Sequence, residues 1–190
     1  MTISRLSVIT LVAVLAAGCV DRNRSATVEP QSGEPAAEVA TVSAGDQPLR
    51  ELLEHPANPE AFPLAPGSSV RGTITAPSAG SIAAVAFQIG NYANTSDGHA
   101  EIELCEQQRC VIGEAELKGS QDNAYLLVQL QQPLSVGAAG TQLSYRFSKL
   151  GGGGPVALWL YQAPDAASAI KVNDSDALER TPKIALQYVP

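Results

Sequence analysis

The sequence predicts an all-β fold for residues 61–190, an antiparallel, jelly-roll-like β-sandwich of eight or nine strands. Short segments of alternating apolar and polar residues recur through this part of the chain, and Gly, Pro, Asn and Asp separate them. This pattern is typical of strands that bury one face and expose the other. No long segment shows the 3.6-residue periodicity of an amphipathic helix. About 130 residues are enough for one domain with a substantial core.

Nine segments carry the strand pattern. In the strand predicted over residues 81–89, Val85, Phe87 and Ile89 share one face. Residues 155–161 are apolar on both faces, which is typical of a strand in the middle of a sheet. The other predicted strands cover residues 69–75, 100–105, 110–117, 125–130, 141–148, 169–172 and 184–189.

Cys105 and Cys110 predict a disulfide across a β-hairpin. If residues 106–109 form the turn, the two cysteines lie opposite each other, and Ile102 and Leu104 then face the core. An even pair of cysteines favours a bridge in an oxidising compartment. A zinc site would need more ligands at suitable spacing, so we predict no metal there.

Residues 1–18 have the composition of an export signal. Arg5 precedes the uncharged segment 6–17, which is too short to span a bilayer. The segment ends on Leu-Ala-Ala-Gly-Cys19, which resembles the lipobox of bacterial lipoproteins, although Ala16 stands where Leu is commonest. The resemblance implies cleavage before Cys19 and lipidation of its thiol, with the acyl chains as the membrane contact. The alternative is an ordinary secretory signal with an incidental cysteine, or a short membrane anchor.

The resemblance also implies a location in the bacterial cell envelope. Val20 follows the cysteine, with Asp21 one place later, and this order favours the outer over the inner membrane. Residues 19–60 are rich in Pro, Ala and Glu, and predict a flexible tether. Within it, residues 48–54 could form one or two helical turns.

The charge of the chain restricts its partners. There are 12 Lys and Arg residues against 19 Asp and Glu, a net charge of −7. Nucleic-acid binding needs clustered cations, so we expect no nucleic-acid partner. The sequence also has no polybasic segment that would bind anionic lipid.

Residues 64–188 show a pattern of strands and turns that resembles a known kind of module. The matching segments are LAPGSSVRGTI, the long second strand AAVAFQIGNYANTSDGHAEIEL, the Leu-x-Gly-Ser-x-Asp-Asn-x-Tyr segment over 117–125, GTQLSYRFS, the pair Leu158-Trp159 and IALQYV. They are similar to jelly-roll, carbohydrate-binding-like modules that accompany bacterial envelope glycosyltransferases. The resemblance implies a binding module with no catalytic residue, and a glycan or a polysaccharide-handling complex as its partner.

The residues themselves offer candidate sugar contacts. Sugars are recognised by aromatic faces and by planar polar side chains. The candidates are Tyr92, Trp159 and Tyr161 as platforms, with Asn91, Asn94, Asp97 and His99 as polar contacts. A core position for Trp159 is the alternative. The turn over 94–98, and less so 173–176, would also suit a structural Ca²⁺, although we expect no cofactor.

The catalytic inventory is small, so we predict that the protein is not an enzyme. His99 is the single imidazole of the predicted domain, and no Gly-x-Ser-x-Gly nucleophile elbow occurs. The glutamates at 101, 103, 114 and 116 fit the solvated face of the hairpin better than a hydrolytic pair. The sequence therefore predicts a non-catalytic lipoprotein that binds glycan. A structural or assembly lipoprotein that docks onto an envelope protein is the alternative.

Overall fold

The computed structural model describes residues 47–54, 56–173, 175 and 177–189. These residues lie within one unit, Thr41–Pro190. They form thirteen antiparallel strands and one 3₁₀ turn, Ala166–Ser168. The predicted all-β fold is confirmed. The predicted signal, Cys19 and the tether up to residue 46 lie outside the described residues, as do residues 174 and 176.

The strands follow one another along the chain with short connections. They are β1 (Arg50–Glu51), β2 (Glu60–Leu64), β3 (Ser69–Thr75), β4 (Gly80–Gly90), β5 (His99–Glu106), β6 (Arg109–Glu116), β7 (Ala124–Val136), β8 (Gln142–Leu150), β9 (Val156–Gln162), β10 (Ile170–Val172), β11 (Ala177–Leu178), β12 (Arg180–Pro182) and β13 (Ile184–Val189). Within the part of the chain that the structure describes, no helix has the length and apolar character needed to cross a membrane.

The strands form two layers that are joined by β7. The front sheet has the order β6-β5-β8-β3-β10-β11. The back sheet has the order β1-β13-β4-β7, and β9 joins it by pairing with the end of β4, with β2 and β12 on β9. Because β7 pairs with both β4 and β6, the two layers are parts of one curled sheet.

The apolar core fills the space between the layers. Phe87 of β4 in the back sheet lies between two aromatic rings of β8 in the front sheet, with ring centroids 5.7 Å from Tyr145 and 4.8 Å from Phe147. Val85 and Ile89, predicted to share a face with Phe87, are also fully buried. This packing of one layer on the other is that of a β-sandwich.

Four short strands were not predicted. β1, β2, β11 and β12 contain two to five residues each, too few for an alternating pattern to stand out. The helical turns predicted over residues 48–54 are wrong, because Arg50 and Glu51 pair with β13 instead. Part of the predicted tether therefore belongs to the sheet, and Leu52 packs against the core.

The predicted hairpin is confirmed in register. Cys105 pairs with Cys110 across β5 and β6, and their sulfurs are bonded at 2.05 Å. Leu104 faces the core, as expected. The turn consists of residues 107 and 108, and Gln107 takes a positive φ of 54°, as tight hairpin turns require.

Candidate ligand-binding groove

A row of four charged side chains crosses the outer face of the front sheet. Glu103 of β5 pairs with Arg146 of β8, Arg146 pairs with Arg71 of β3, and Arg71 pairs with Lys171 of β10. Their sequence neighbours point into the core, so these four side chains point outward. The strands are spaced by about 4.8 Å, so the row spans roughly 14 Å.

The charges in the row do not balance. Glu103 Oε2 accepts a hydrogen bond from Arg146 Nη2 at 2.6 Å, and both side chains are partly exposed. The row holds one carboxylate and three cations, although the whole chain carries a net charge of −7. The Nε of Arg146 is buried and has no hydrogen-bond partner among the described residues. Arg146 therefore keeps one donor beyond its ion pair with Glu103.

The row lies in a groove of about 490 Å³. The hydroxyl-bearing side chains of Thr73 and Ser144 line it beside the charged ones, and Ala167 and Ala169 form a wall. Thr73 Oγ1 donates to the carbonyl oxygen of Ala167 at 2.5 Å, which fixes this wall to β3. A groove of this size is in the range of small-ligand sites.

The wall beside the groove is stabilised by a cap. Asp165 Oδ1 accepts hydrogen bonds from the backbone N–H and the hydroxyl of Ser168, each at 2.8 Å. These bonds hold the pKa of Asp165 below its usual range. The side chain of Asp165, the residue before the 3₁₀ turn, therefore caps the turn, and the groove has a defined edge.

Beneath the groove, Tyr145 fills the space that Gly72 leaves. A β-carbon at Gly72 would lie 2.8 Å from Tyr145 Oη. Burial raises the pKa of Tyr145 well above its ordinary value. The hydroxyl has no hydrogen-bond partner among the described residues. The ring of Tyr145 and the glycine opposite it therefore shape the layer beneath the charged row.

Two of the three predicted aromatic platforms donate hydrogen bonds to other residues of the protein. Tyr161 is 8% exposed, and its Oη donates to Gln88 Oε1 at 2.7 Å. Trp159 is half-buried, and its Nε1 donates to Asn123 Oδ1 at 2.8 Å. Tyr92 is 43% exposed and lies in a loop. Of the three aromatic candidates, Tyr92 offers the most open ring.

Asp97 organises the loops rather than facing outward. Its Oδ1 accepts from the backbone N–H groups of Gly153 and Gly154 at 2.8 and 2.9 Å. The hydrogen bond from Gly154 is the main cause of a lowered pKa of Asp97. Lys149 is fully buried and donates to the carbonyl oxygens of Asp97 and of Gly151, the latter at 2.6 Å. Burial lowers the pKa of Lys149.

The remaining polar candidates are divided between the same loop and a strand. Asn91 is fully buried and donates to the carbonyl oxygen of Ser120. Its Oδ1 accepts from the backbone N–H of Asn94 at 3.0 Å. His99 is exposed at the start of β5. The structure therefore brings Asn91, Asn94 and Asp97 into one loop, but much of their hydrogen bonding is internal to the protein.

In the second turn considered for Ca²⁺, the first residue also uses its side-chain oxygen within the fold. Asn173 Oδ1 accepts from the backbone N–H of Ser69 at 2.8 Å. In the described residues, the group of potential metal ligands is Glu103 with Cys105 and Cys110, whose ligand atoms lie within 4.8 Å of one another. The disulfide occupies both sulfurs, so neither is a thiolate ligand.

The charged row could not be predicted from the sequence. Alternation places Arg146 on the outer face of its strand, and the same holds for Arg71 and Lys171. However, their meeting depends on which strands are neighbours, and Arg71 and Lys171 are a hundred residues apart in sequence. The signal for the row in the sequence is one outward-facing cation in each of the three strands.

Comparisons with known proteins gave no match: no protein-family model, no curated protein and no solved structure matches this chain.

Proposed function

We propose that the chain is a non-catalytic lipoprotein of the bacterial cell envelope whose β-sandwich binds glycan in the groove of the front sheet. The observation that carries the glycan proposal is the groove itself. It has a volume of about 490 Å³ and combines guanidinium groups with the hydroxyls of Thr73 and Ser144. Such planar donors and hydroxyls suit the dense hydrogen-bonding groups of a sugar.

A binding role fits the groove better than hydrolysis. Glycoside hydrolysis uses two carboxyl groups that flank the scissile bond. Among the described residues that line the groove, Glu103 is the one carboxylate, and it accepts a hydrogen bond from Arg146. One carboxylate does not supply the pair of groups that this chemistry requires.

The membrane attachment rests on the sequence around Cys19. The lipobox resemblance supports lipidation of this residue, and the acidic composition gives no other route to a membrane surface. Metabolic labelling with an alkyne-tagged fatty acid tests it directly. We expect label on the wild-type chain and none on Cys19→Ala. Equal labelling of both would refute lipidation at this residue.

Glycan binding is tested with the full chain on an array of envelope polysaccharides. A bulky side chain at the exposed position 144 of β8 would fill the groove, so we expect Ser144→Trp to abolish binding. Gln131→Trp is the matched control, because Gln131 is an exposed strand residue of β7 outside the groove. Loss of binding in both variants would argue against the groove.

Docking onto an envelope protein is the second candidate function. The observation that favours it is the internal use of two of the expected sugar platforms, Tyr161 by Gln88 and Trp159 by Asn123. If the wild-type chain binds no glycan on the array, the docking function becomes the better proposal.

A further inference from the structure

We propose that residues 163–169, the wall segment, form a movable edge of the groove, and that Thr73 is the latch that holds this edge closed. The inference rests on the proposed function and concerns the regulation of the same site. The wall segment connects β9 of the back sheet to β10 of the front sheet. Ala167 and Ala169 are the residues of the wall segment that line the groove.

A second cavity, of about 130 Å³, also borders the wall segment, through Pro164 and Ser168. Most of the other side chains that line this cavity are apolar, and they are Leu52, Leu53, Ile74, Pro182 and Ile184. The wall segment itself is rich in small apolar residues, since its sequence is Ala-Pro-Asp-Ala-Ala-Ser-Ala. A shift of the segment into the cavity would bury apolar groups and enlarge the groove.

The wall segment is a compact unit between two fixed ends. None of the residues of the 3₁₀ turn Ala166–Ser168 is buried, so a shift of the turn exposes little apolar surface. The carboxylate of Asp165 caps the turn, which therefore keeps its shape as it shifts. At one end the backbone N–H of Ala163 donates to the carbonyl oxygen of Glu179 at 3.2 Å, and at the other Ile170 is fully buried. Segments with few buried contacts open at low cost in free energy.

Thr73 couples the wall segment to the groove. Among the described residues, Thr73 is the one that lines both the groove and the second cavity. Its Oγ1 donates to the carbonyl oxygen of Ala167 at 2.5 Å. A hydroxyl has a single O–H group, so a ligand oxygen that accepts it takes it from Ala167. A glycan oxygen in the groove therefore binds the open state better, as a ligand must in order to shift a conformational equilibrium.

The motion itself is tested by NMR relaxation dispersion on the full chain in neutral detergent, without ligand. We expect exchange on the microsecond-to-millisecond timescale at the backbone amides of the wall segment, and none in the flanking strands β9 and β10. Absence of exchange in the wall segment would overturn the inference.

Variants of Thr73 test the latch. Thr73→Val removes the O–H group at nearly constant size, so we expect the open population to rise roughly fivefold, from the net strength of one hydrogen bond. Thr73→Ser keeps the hydroxyl and should retain the wild-type signals. Thr75→Val is the matched control, because Thr75 is an exposed residue of the same strand that does not line the groove. If Thr73→Val and Thr75→Val give the same wall-segment signals, Thr73 is not the latch.

A second measurement couples the motion to binding. The probe is the polysaccharide fragment that binds most strongly on the array of envelope polysaccharides, added to saturation. We expect the wall-segment amide signals of the wild type to move in the direction of those of Thr73→Val. If the fragment binds and these signals stay in place, the movable edge is overturned and glycan binding stands. If no glycan on the array binds, the proposed function fails, and the inference about its regulation fails with it.

Discussion

Gly113 of β6 lies directly opposite Leu130 of β7, at the position where the front sheet continues into the back sheet. A β-carbon at residue 113 would lie 2.3 Å from the carbonyl oxygen of Gln129. Glycine is therefore required by the close approach of two backbones, which a side chain would push apart. The sandwich depends on this contact because β7 pairs with both layers.

We predict that Gly113→Ala destabilises the domain by about 1–3 kcal/mol, the usual cost of forcing an extra methyl group into a packed site. Urea denaturation followed by circular dichroism measures the change in the free energy of unfolding. Gly137→Ala is the matched control, since a β-carbon at Gly137 would meet no atom within 4 Å. Equal losses in the two variants would contradict a special role for Gly113.

The disulfide gives a second prediction. It closes a short loop between residues already opposed by the hairpin register, so it stabilises mainly by restricting the unfolded chain. We expect the double variant Cys105→Ala, Cys110→Ala to remain folded but to lose roughly 2 kcal/mol of stability. Urea denaturation of both proteins measures the loss.

The state of the cysteines is checked separately by intact mass after thiol alkylation. Protein exported to an oxidising compartment should show neither Cys105 nor Cys110 alkylated without prior reduction. Alkylation of both before reduction would contradict the bridge.

The features that the sequence predicted are the local ones. The Cys105–Cys110 hairpin follows from one stretch of alternating residues and a two-residue turn, so its register was predictable. The charged row was not, because it depends on pairing between β3 and β10, which are a hundred residues apart in sequence. Nothing in either segment alone identifies its neighbour in the sheet.

Two local signals conflict at Lys149. Alternation along β8 directs this position to the core, whereas its charge predicts exposure. The side chain is buried, as the alternation predicts, because its ammonium group donates to the carbonyl oxygens of Asp97 and Gly151. Those acceptors come from loops whose meeting the sequence does not predict, so the sequence alone does not identify Asp97 as a partner of Lys149.

The pH dependence of stability tests the role of Asp97. Its pKa is lower in the folded protein, chiefly because the N–H of Gly154 donates to the carboxylate. A lowered folded pKa stabilises the native state above the ordinary aspartate pKa of about 3.9. This stabilisation is lost as pH falls through the folded value.

We therefore expect the melting temperature of the wild-type protein to fall more steeply below about pH 4 than that of Asp97→Asn. The asparagine keeps an Oδ1 that can accept from Gly153 and Gly154, so the variant should fold. Melting curves between neutral and acidic pH provide the comparison. Identical slopes would show that Asp97 contributes nothing to the acid sensitivity.

A substitution at Tyr161 tests whether this residue contributes to stability or to ligand binding. Its Oη donates to Gln88 Oε1, and its side chain is buried away from the groove residues of the front sheet. We predict that Tyr161→Phe lowers the free energy of unfolding by about 1 kcal/mol, the usual net value of one hydrogen bond. Its affinity for an oligosaccharide that the wild type binds on the array should be unchanged.

Tyr92→Ala is the comparison, because Tyr92 is an exposed loop residue and its loss should change stability by no more than about 0.5 kcal/mol. Urea denaturation and calorimetry on both variants give the two quantities needed. If Tyr161→Phe lost oligosaccharide affinity while its stability stayed unchanged, the Tyr161 hydroxyl would be a sugar contact. The binding surface would then lie on the back sheet, because Tyr161 belongs to β9, rather than at the charged row.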